Sequence, residues 1–358
     1  MKRATESELD PATADTLRLT RSVGLHYVHD TDPGIRRRRR GERFSFVDAR
    51  GKPIKDPEEI LRIRALAIPP AYEDVWICAD PRGHLQATGH DVRGRKQYRY
   101  HPDWRLARDA VKFERMTDFG AALPRLRRRL MRDLALPGLP RDKVLALLVR
   151  LLDTTRVRIG NPEYARDNQS YGLTTLRNRH VKFIRDGSAR LSFKGKSGTE
   201  HEIEIDDKRL VSIVRRCQHL PGQRLFQYLG DDGQHHPIGS DQVNDYLRDA
   251  MGADFTAKDF RTWGATLRAI ALMACTPLPE VPSERAYKSS IVAAIKQVSE
   301  ELRNTPAVCR KSYINPIVFM AWRDGSLHKS VGSAIRSGAP RKAEGLALRF
   351  LREVADAQ

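Results

Sequence analysis

Arg310-Lys311-Ser312-Tyr313-Ile314-Asn315-Pro316 is the stretch on which the reading of this chain turns. It sets a tyrosine behind two cations, late in a chain of 358 residues. Alone it decides little, because the chain holds 10 tyrosines and most tyrosines pack or hydrogen-bond. Its weight comes from three segments upstream. They are Arg156-Val157-Arg158-Ile159-Gly160-Asn161, Lys194-Gly195-Lys196-Ser197-Gly198 and Lys258-Asp259-Phe260-Arg261-Thr262-Trp263-Gly264. Arg158, Lys196 and Arg261 thus precede Tyr313 in a fixed order of cation types.

Outward from these segments the hydrophobic pattern changes period. Val144, Leu147, Leu148, Leu151 and Leu152 fall on one helical face just before Arg158, and Ile291, Ile295, Val298 and Leu302 repeat that stripe before Tyr313. Between them, residues 181–184, 190–193 and 202–205 alternate, with turns at Asp186-Gly187 and over 195–198. This predicts a three-stranded meander with Lys196 at a hairpin tip. From about Gly24 to Tyr100 the chain reads as short strands at 44–47, 75–78 and 84–89, with a short helix over 57–66. The expected fold is α+β: a small N-terminal β-rich domain and a larger, mainly α domain. Its expected divisions are a flexible N-terminus over 1–20, the β-rich domain over 21–105, the helical domain over 106–327 and a basic tail over 328–358. Arg36 to Arg40 form an unbroken arginine run, read as a solvated, mobile loop or as a nucleic-acid backbone contact.

The net charge is +19 and the sequence pI about 10.1. Of the 64 basic residues 16 are lysine, so 48 are arginine, whose fork matches phosphate oxygens bidentately. The bias points to a polyanionic partner. Cys78, Cys217, Cys275 and Cys309 lie far apart without zinc spacing and read as reduced thiols. No apolar run is long enough to cross a membrane, so a soluble, cytoplasmic protein is expected. His235-His236 reads as a solvent-facing turn rather than a metal site.

The ordered set resembles type IB DNA topoisomerases, in the compact form of bacteria and poxviruses, over roughly residues 24–327. The resemblance implies a nucleoid-associated monomer that clamps double-stranded DNA and relaxes supercoils of both signs without metal, nucleotide or other cofactor. It makes Tyr313 the nucleophile that forms a 3′-phosphotyrosyl link. Arg158 and Arg261 would hold the non-bridging oxygens, and Lys196 would protonate the leaving 5′-oxygen. Arg156 and Lys194 are the nearest rivals of Arg158 and Lys196. Many relatives carry a histidine nine residues before the tyrosine; here Asn304 stands there, able to donate a hydrogen bond but uncharged. Arg93, Arg95, Lys96, Gln97, Tyr98 and Tyr100 match the family's N-terminal strand that enters the DNA groove, where Gln97 would read adenine edges. Gly195-Lys196-Ser197 is no P-loop, because the upstream glycine position is Arg190. A tyrosine recombinase shares the same residue set but carries His-x-x-Arg at its second arginine, where this chain has Lys258-Asp259-Phe260-Arg261. A non-catalytic DNA-binding protein is the third alternative.

Overall fold

The computed structural model describes residues 11–41, 43–335 and 340–356. The chain forms two compact units, Met1–Lys112 and Phe113–Gln358.

The first unit holds α1 (Pro11–Ser22), β1 (Ile35–Arg40), β2 (Arg43–Val47), α2 (Pro57–Ala65), β3 (Glu73–Ile77), β4 (Leu85–His90) and β5 (Lys96–Tyr100). The strands make one antiparallel sheet in the order β2-β1-β3-β4-β5. Alternation puts Ile35, Val75, Ile77 and Ala87 on one face, where they bury Ile63 of α2. Asp56 caps α2 by accepting the Glu58 N–H, and Pro57 occupies the first turn, where its missing N–H costs nothing. The arginine run is strand β1, not a loop. It pairs with β2 from Arg36↔Val47 to Arg40↔Arg43, and a ladder of that length outweighs the repulsion within the run. Helix α1 covers half of the stretch expected to be flexible; residues 1–10 lie outside the described residues.

The division between the units falls inside α3 (Pro102–Leu134). Pro137-Gly138-Leu139-Pro140 separates it from α4 (Arg141–Thr155). There follow α5 (Pro162–Asp167), β6 (Val181–Phe183), β7 (Ala189–Lys194), β8 (Glu200–Ile205), α6 (Lys208–Gln218), β9 (Gln227–Leu229), β10 (His235–Pro237) and α7 (Ser240–Met251). The chain ends with α8 (Ala257–Cys275), α9 (Glu284–Leu302), α10 (Pro306–Ser312), α11 (Ile317–Arg323), α12 (Ser326–Ile335) and α13 (Pro340–Asp356). Helix α4 buries residues on nearly every side, from Val144 to Leu152, so it is the helix around which α6, α7 and α8 pack. Strands β6, β7 and β8 form a separate antiparallel sheet.

The C-terminal segment is not a free tail. Ala347, Phe350 and Leu351 recur at helical spacing and are buried, and α12 and α13 pack against α8. Arg127 of α3 bridges Glu344 of α13 (2.6 Å) and Asp153 of α4 (2.9 Å). His235 and His236 are also not in a turn: they lie in β10, paired with β9, because the turn chemistry sits before them at Asp231-Asp232-Gly233. Among the described residues no cluster could hold a metal ion, and no helix is long and apolar enough to cross a membrane.

Candidate active site

The second unit brings Arg158, Arg261, Asn304 and Tyr313 together from four elements. Helix α4 ends in Arg156, which takes a left-handed conformation (φ 56°) and closes the helix onto Leu152 O (2.9 Å). The chain beyond is zipped to a neighbouring strand of loop. Arg158 O accepts from Leu173 N–H (3.0 Å) and Ile159 O from Thr174 N–H (2.8 Å). Gly160 has φ +105°, a conformation L side chains rarely adopt, which is the physical need for glycine two residues after Arg158.

Arg261 is the fifth residue of α8 and is 3% exposed. Its guanidinium turns inward rather than out of the helix start. It donates to Arg156 O and to Leu302 O (2.9 Å), tying the ends of α4 and α9 together. A cation packed among three elements must place its N–H groups on acceptors, and two helix C-termini supply carbonyls. Its Cζ lies 5.1 Å from the centroid of the Tyr313 ring.

Asn304 follows α9, whose end is closed by Arg303 at φ 52°. Asn304 Oδ1 accepts from Arg158 Nη2. Arginine can only donate, so this contact fixes the amide and turns Nδ2 away. Tyr313 caps α10, with its N–H on Cys309 O (3.0 Å). Its carbonyl accepts from Thr266 Oγ1 (3.2 Å), and the same hydroxyl accepts from Asn315 N–H (3.1 Å). Helix α8 therefore carries both Arg261 and the anchor of the tyrosine's backbone. Sequence reasoning missed Thr266; the only signal was a hydroxyl on the helix face that otherwise packs Ala265, Ala269 and Ile270.

Arg158 Nη1, Arg261 Nε and Asn304 Nδ2 are buried donors without a hydrogen-bond partner. Buried donors are rarely left so; Arg158 and Arg261 both act on the Tyr313 side chain, and Asn304 is bonded to Arg158. Burial disfavours the charge on Arg158, Arg261 disfavours it further, and Tyr313 favours it. An anion's oxygens would satisfy the three donors and relieve the repulsion.

Lys196 is not brought into this cluster. It is exposed in the single 3-10 turn Lys196–Gly198 between β7 and β8, as is Lys194 just before it. The turn is nonetheless seated on the site through His201, a residue sequence reasoning passed over. A Cβ on Gly195 would lie 2.6 Å from the His201 ring. That ring stacks on Phe193 (5.1 Å between centroids, 5° between planes). Burial lowers its pKa to about 4, helped by the charges of Arg158, Arg261 and Arg303. A buried histidine on an alternating strand gives no sequence signal of its own.

The six residues expected to touch nucleic acid lie in or just before β5 of the first unit, on both of its faces. Arg95 and Gln97 hold the Asp91 carboxylate (2.6 and 3.0 Å), and Arg95 above all lowers its pKa to about 2. Lys96 pairs with Asp30 (2.5 Å). Tyr98 is exposed and stacks on Tyr100, which is itself half-buried against Trp104 (4.5 Å). Arg93 is exposed in the turn before the strand.

Comparison with known proteins gives one consistent answer. Residues 101–321 match the family model for the catalytic core of eukaryotic DNA topoisomerase I. Residues 43–91 match that for the N-terminal domain of bacterial DNA topoisomerase IB. Over 286 residues the chain is 35% identical to the DNA topoisomerase 1B of Acanthamoeba polyphaga mimivirus, covering 78% of this chain and 85% of that protein. Over 264 residues it is 24% identical to the DNA topoisomerase 1B of vaccinia virus (strain Copenhagen), covering 71% and 76%.

Proposed function

The chain belongs to the type IB DNA topoisomerases, and from that premise we propose that Tyr313 is the residue that breaks and rejoins the strand. The observation that carries this reading is the trio of unpartnered buried donors, Arg158 Nη1, Arg261 Nε and Asn304 Nδ2, on side chains of which Arg261 lies over the Tyr313 ring and Arg158 is bonded to Asn304.

In this mechanism a phosphodiester lies with its non-bridging oxygens on those donors. The Tyr313 phenolic oxygen attacks phosphorus as the bond to the 5′-oxygen breaks, and the phenol's proton is released. The 5′-oxygen takes a proton from Lys196 and leaves as a hydroxyl. Charge that grows on the non-bridging oxygens meets Arg158 and Arg261, already held in place by Asn304 and by two backbone carbonyls, so little reorganisation is needed at the moment of reaction. The phosphotyrosyl ester keeps the bond energy, and the freed 5′-hydroxyl attacks back after the strand has swivelled. With two guanidiniums and an ammonium supplying the charge, the step as written calls on neither metal nor nucleotide. Strands β6, β7 and β8 are then the insertion that delivers the family's lysine, and β5 with Tyr98 the groove-entering strand of a DNA clamp. The protein acts as a monomer at the nucleoid.

Tyr313→Phe tests this directly, since it removes only the attacking oxygen. Incubated with supercoiled plasmid without ATP or magnesium, the wild type relaxes the plasmid and yields a denaturant-trapped protein–DNA adduct. Tyr313→Phe binds the duplex and yields neither product. A tyrosyl adduct formed by Tyr313→Phe would assign the nucleophile to another residue.

A further inference from the structure

The arginine run plays no part in the chemistry above, and the structure sorts it into two sets. In β1 successive side chains point to opposite faces. Arg37 lies on the face covered by α2. Its guanidinium sits 4.3 Å from the Phe44 ring centroid and donates to Pro69 O (3.0 Å) and to Tyr72 O. Arg39 donates to Gly41 O (3.0 Å). Both are spent on holding the hairpin and its neighbouring loop.

Arg36, Arg38 and Arg40 point the other way and are exposed, and Arg43 of β2 stands directly opposite Arg40. Among the described residues none of the four is in an ion pair. Like charges directly opposed across a ladder are destabilising, and the described acids of the first unit leave this row of positive charge unpaired. Alternate residues of a strand lie about 6.8 Å apart. That spacing lets each guanidinium of the row meet a different phosphate of a duplex backbone.

The row is also separate from the Lys96 and Tyr98 patch. Strands β3 and β4 lie between β1 and β5, which puts the two patches about 14 Å apart. The face between them is covered by a loop with acidic residues. Asp30 takes Lys96 and Thr88 (2.5 and 3.0 Å), and Asp32 O takes the Trp76 indole N–H (2.9 Å).

We propose that Arg36, Arg38, Arg40 and Arg43 form a second phosphate-backbone site for duplex DNA, distinct from the strand that carries Tyr98. The identity of the ligand rests on the topoisomerase reading; the existence of a cationic row rests on the sheet alone. Such a site binds without sequence preference and holds either the flank of the duplex being cleaved or a second duplex.

The test compares the wild type with the quadruple Arg→Gln and quadruple Arg→Lys variants at these four positions, titrating duplex DNA over a range of salt. Three or four lost contacts make the slope of log K against log salt shallower by about 3 for the Gln variant. The Lys variant keeps the wild-type slope, which separates charge from folding. If the row holds the flank, the Gln variant loses slope on a long duplex but not on one limited to the cleavage segment. If it holds a second duplex, the Gln variant fails to capture labelled duplex onto an immobilised protein–DNA complex. Wild-type slope and wild-type capture in the Gln variant would overturn the proposal. Neither readout involves strand cleavage, so failure here is distinct from failure of Tyr313 to form an adduct.

Discussion

Replacing Gly172 with alanine perturbs Arg158 through backbone alone. A Cβ at position 172 would lie 2.5 Å from Gly160 N and 2.6 Å from both Arg158 O and Gly160 Cα, against the 3.4 Å at which ordinary contact begins. The shortfall is 0.8 to 0.9 Å, and no flexible side chain is there to yield. The two hydrogen bonds from Leu173 and Thr174 pin the same stretch of chain. Either they stretch or residues 158–160 retreat by most of an ångström. Overpacking of this kind costs about 1–3 kcal/mol of stability. A displacement of about 1 Å in a positioning element costs on the order of 100-fold in rate. Gly172→Ala should therefore melt at a lower temperature, bind duplex DNA nearly as well as wild type, and form the covalent adduct about 100-fold more slowly. The assay is single-turnover adduct formation, with binding and thermal melting measured alongside. A folded Gly172→Ala that forms adduct at the wild-type rate would refute the claim that this backbone contact places Arg158.

Two further predictions concern stability. His180 and His201 both have pKa values near 4 in the fold, each lowered first by burial, against about 6.5 in an unfolded chain. The unfolded state therefore binds protons that the folded state refuses. Stability is intact above about pH 6.5 and falls as pH drops toward 4, by up to ~3 kcal/mol per histidine. Urea melts at pH 7 and pH 5 should show the loss, and His201→Gln should shrink it; a variant with an undiminished difference between the two pH values would remove His201 from the account. Phe350 of α13 is 1% exposed, so Phe350→Ala should cost about 3–5 kcal/mol, and ending the chain at residue 335 should lower the melting temperature of the second unit. Unchanged melting of the truncated chain would make α13 an appendage after all.

The fold was legible where local pattern and burial agree. The stripe over 144–152 became the central helix, and the alternation over 181–205 became a sheet, because one buried face dictates each period. It was illegible where pairing overrides composition. Five consecutive arginines look like solvated loop, yet Ile35 before them and the Phe44-Ser45-Phe46-Val47 partner strand draw them into a ladder. The last residues, Glu344 to Ala355, already read as a short amphipathic helix, but nothing in the sequence said that Ala347, Phe350 and Leu351 would be buried in the second unit. At the site, the order of Arg158, Arg261, Asn304 and Tyr313 named residues that the fold does bring together. What no sequence pattern carried was how they are held. The Leu302 and Arg156 carbonyls on Arg261, the Thr266 hydroxyl under Tyr313, and His201 behind the arginines all act through tertiary contacts between segments more than 40 residues apart.

The placement of Lys196 away from the cluster fits the division of labour in the proposed mechanism. Charge stabilisation works best when the donors are fixed before the reaction, and Arg158 and Arg261 are fixed by an amide and by carbonyls. A proton donor has a different task. It must reach an oxygen that arrives only with the DNA, and a compact ammonium on a four-carbon stem suits that better than a rigid fork. The turn that carries Lys196 contains Ser197 at φ 63°, a conformation held by the loop rather than preferred by the residue. Its base at Gly195 rests on His201. That histidine stays neutral because burial and the arginines disfavour a further charge. It can thus support the lysine turn without adding a third fixed cation beside the two that already repel each other. A charged residue in its place would raise the cost of holding Arg158 and Arg261 together before DNA arrives, whereas a smaller one would let the turn, and the proton with it, drift from the leaving oxygen.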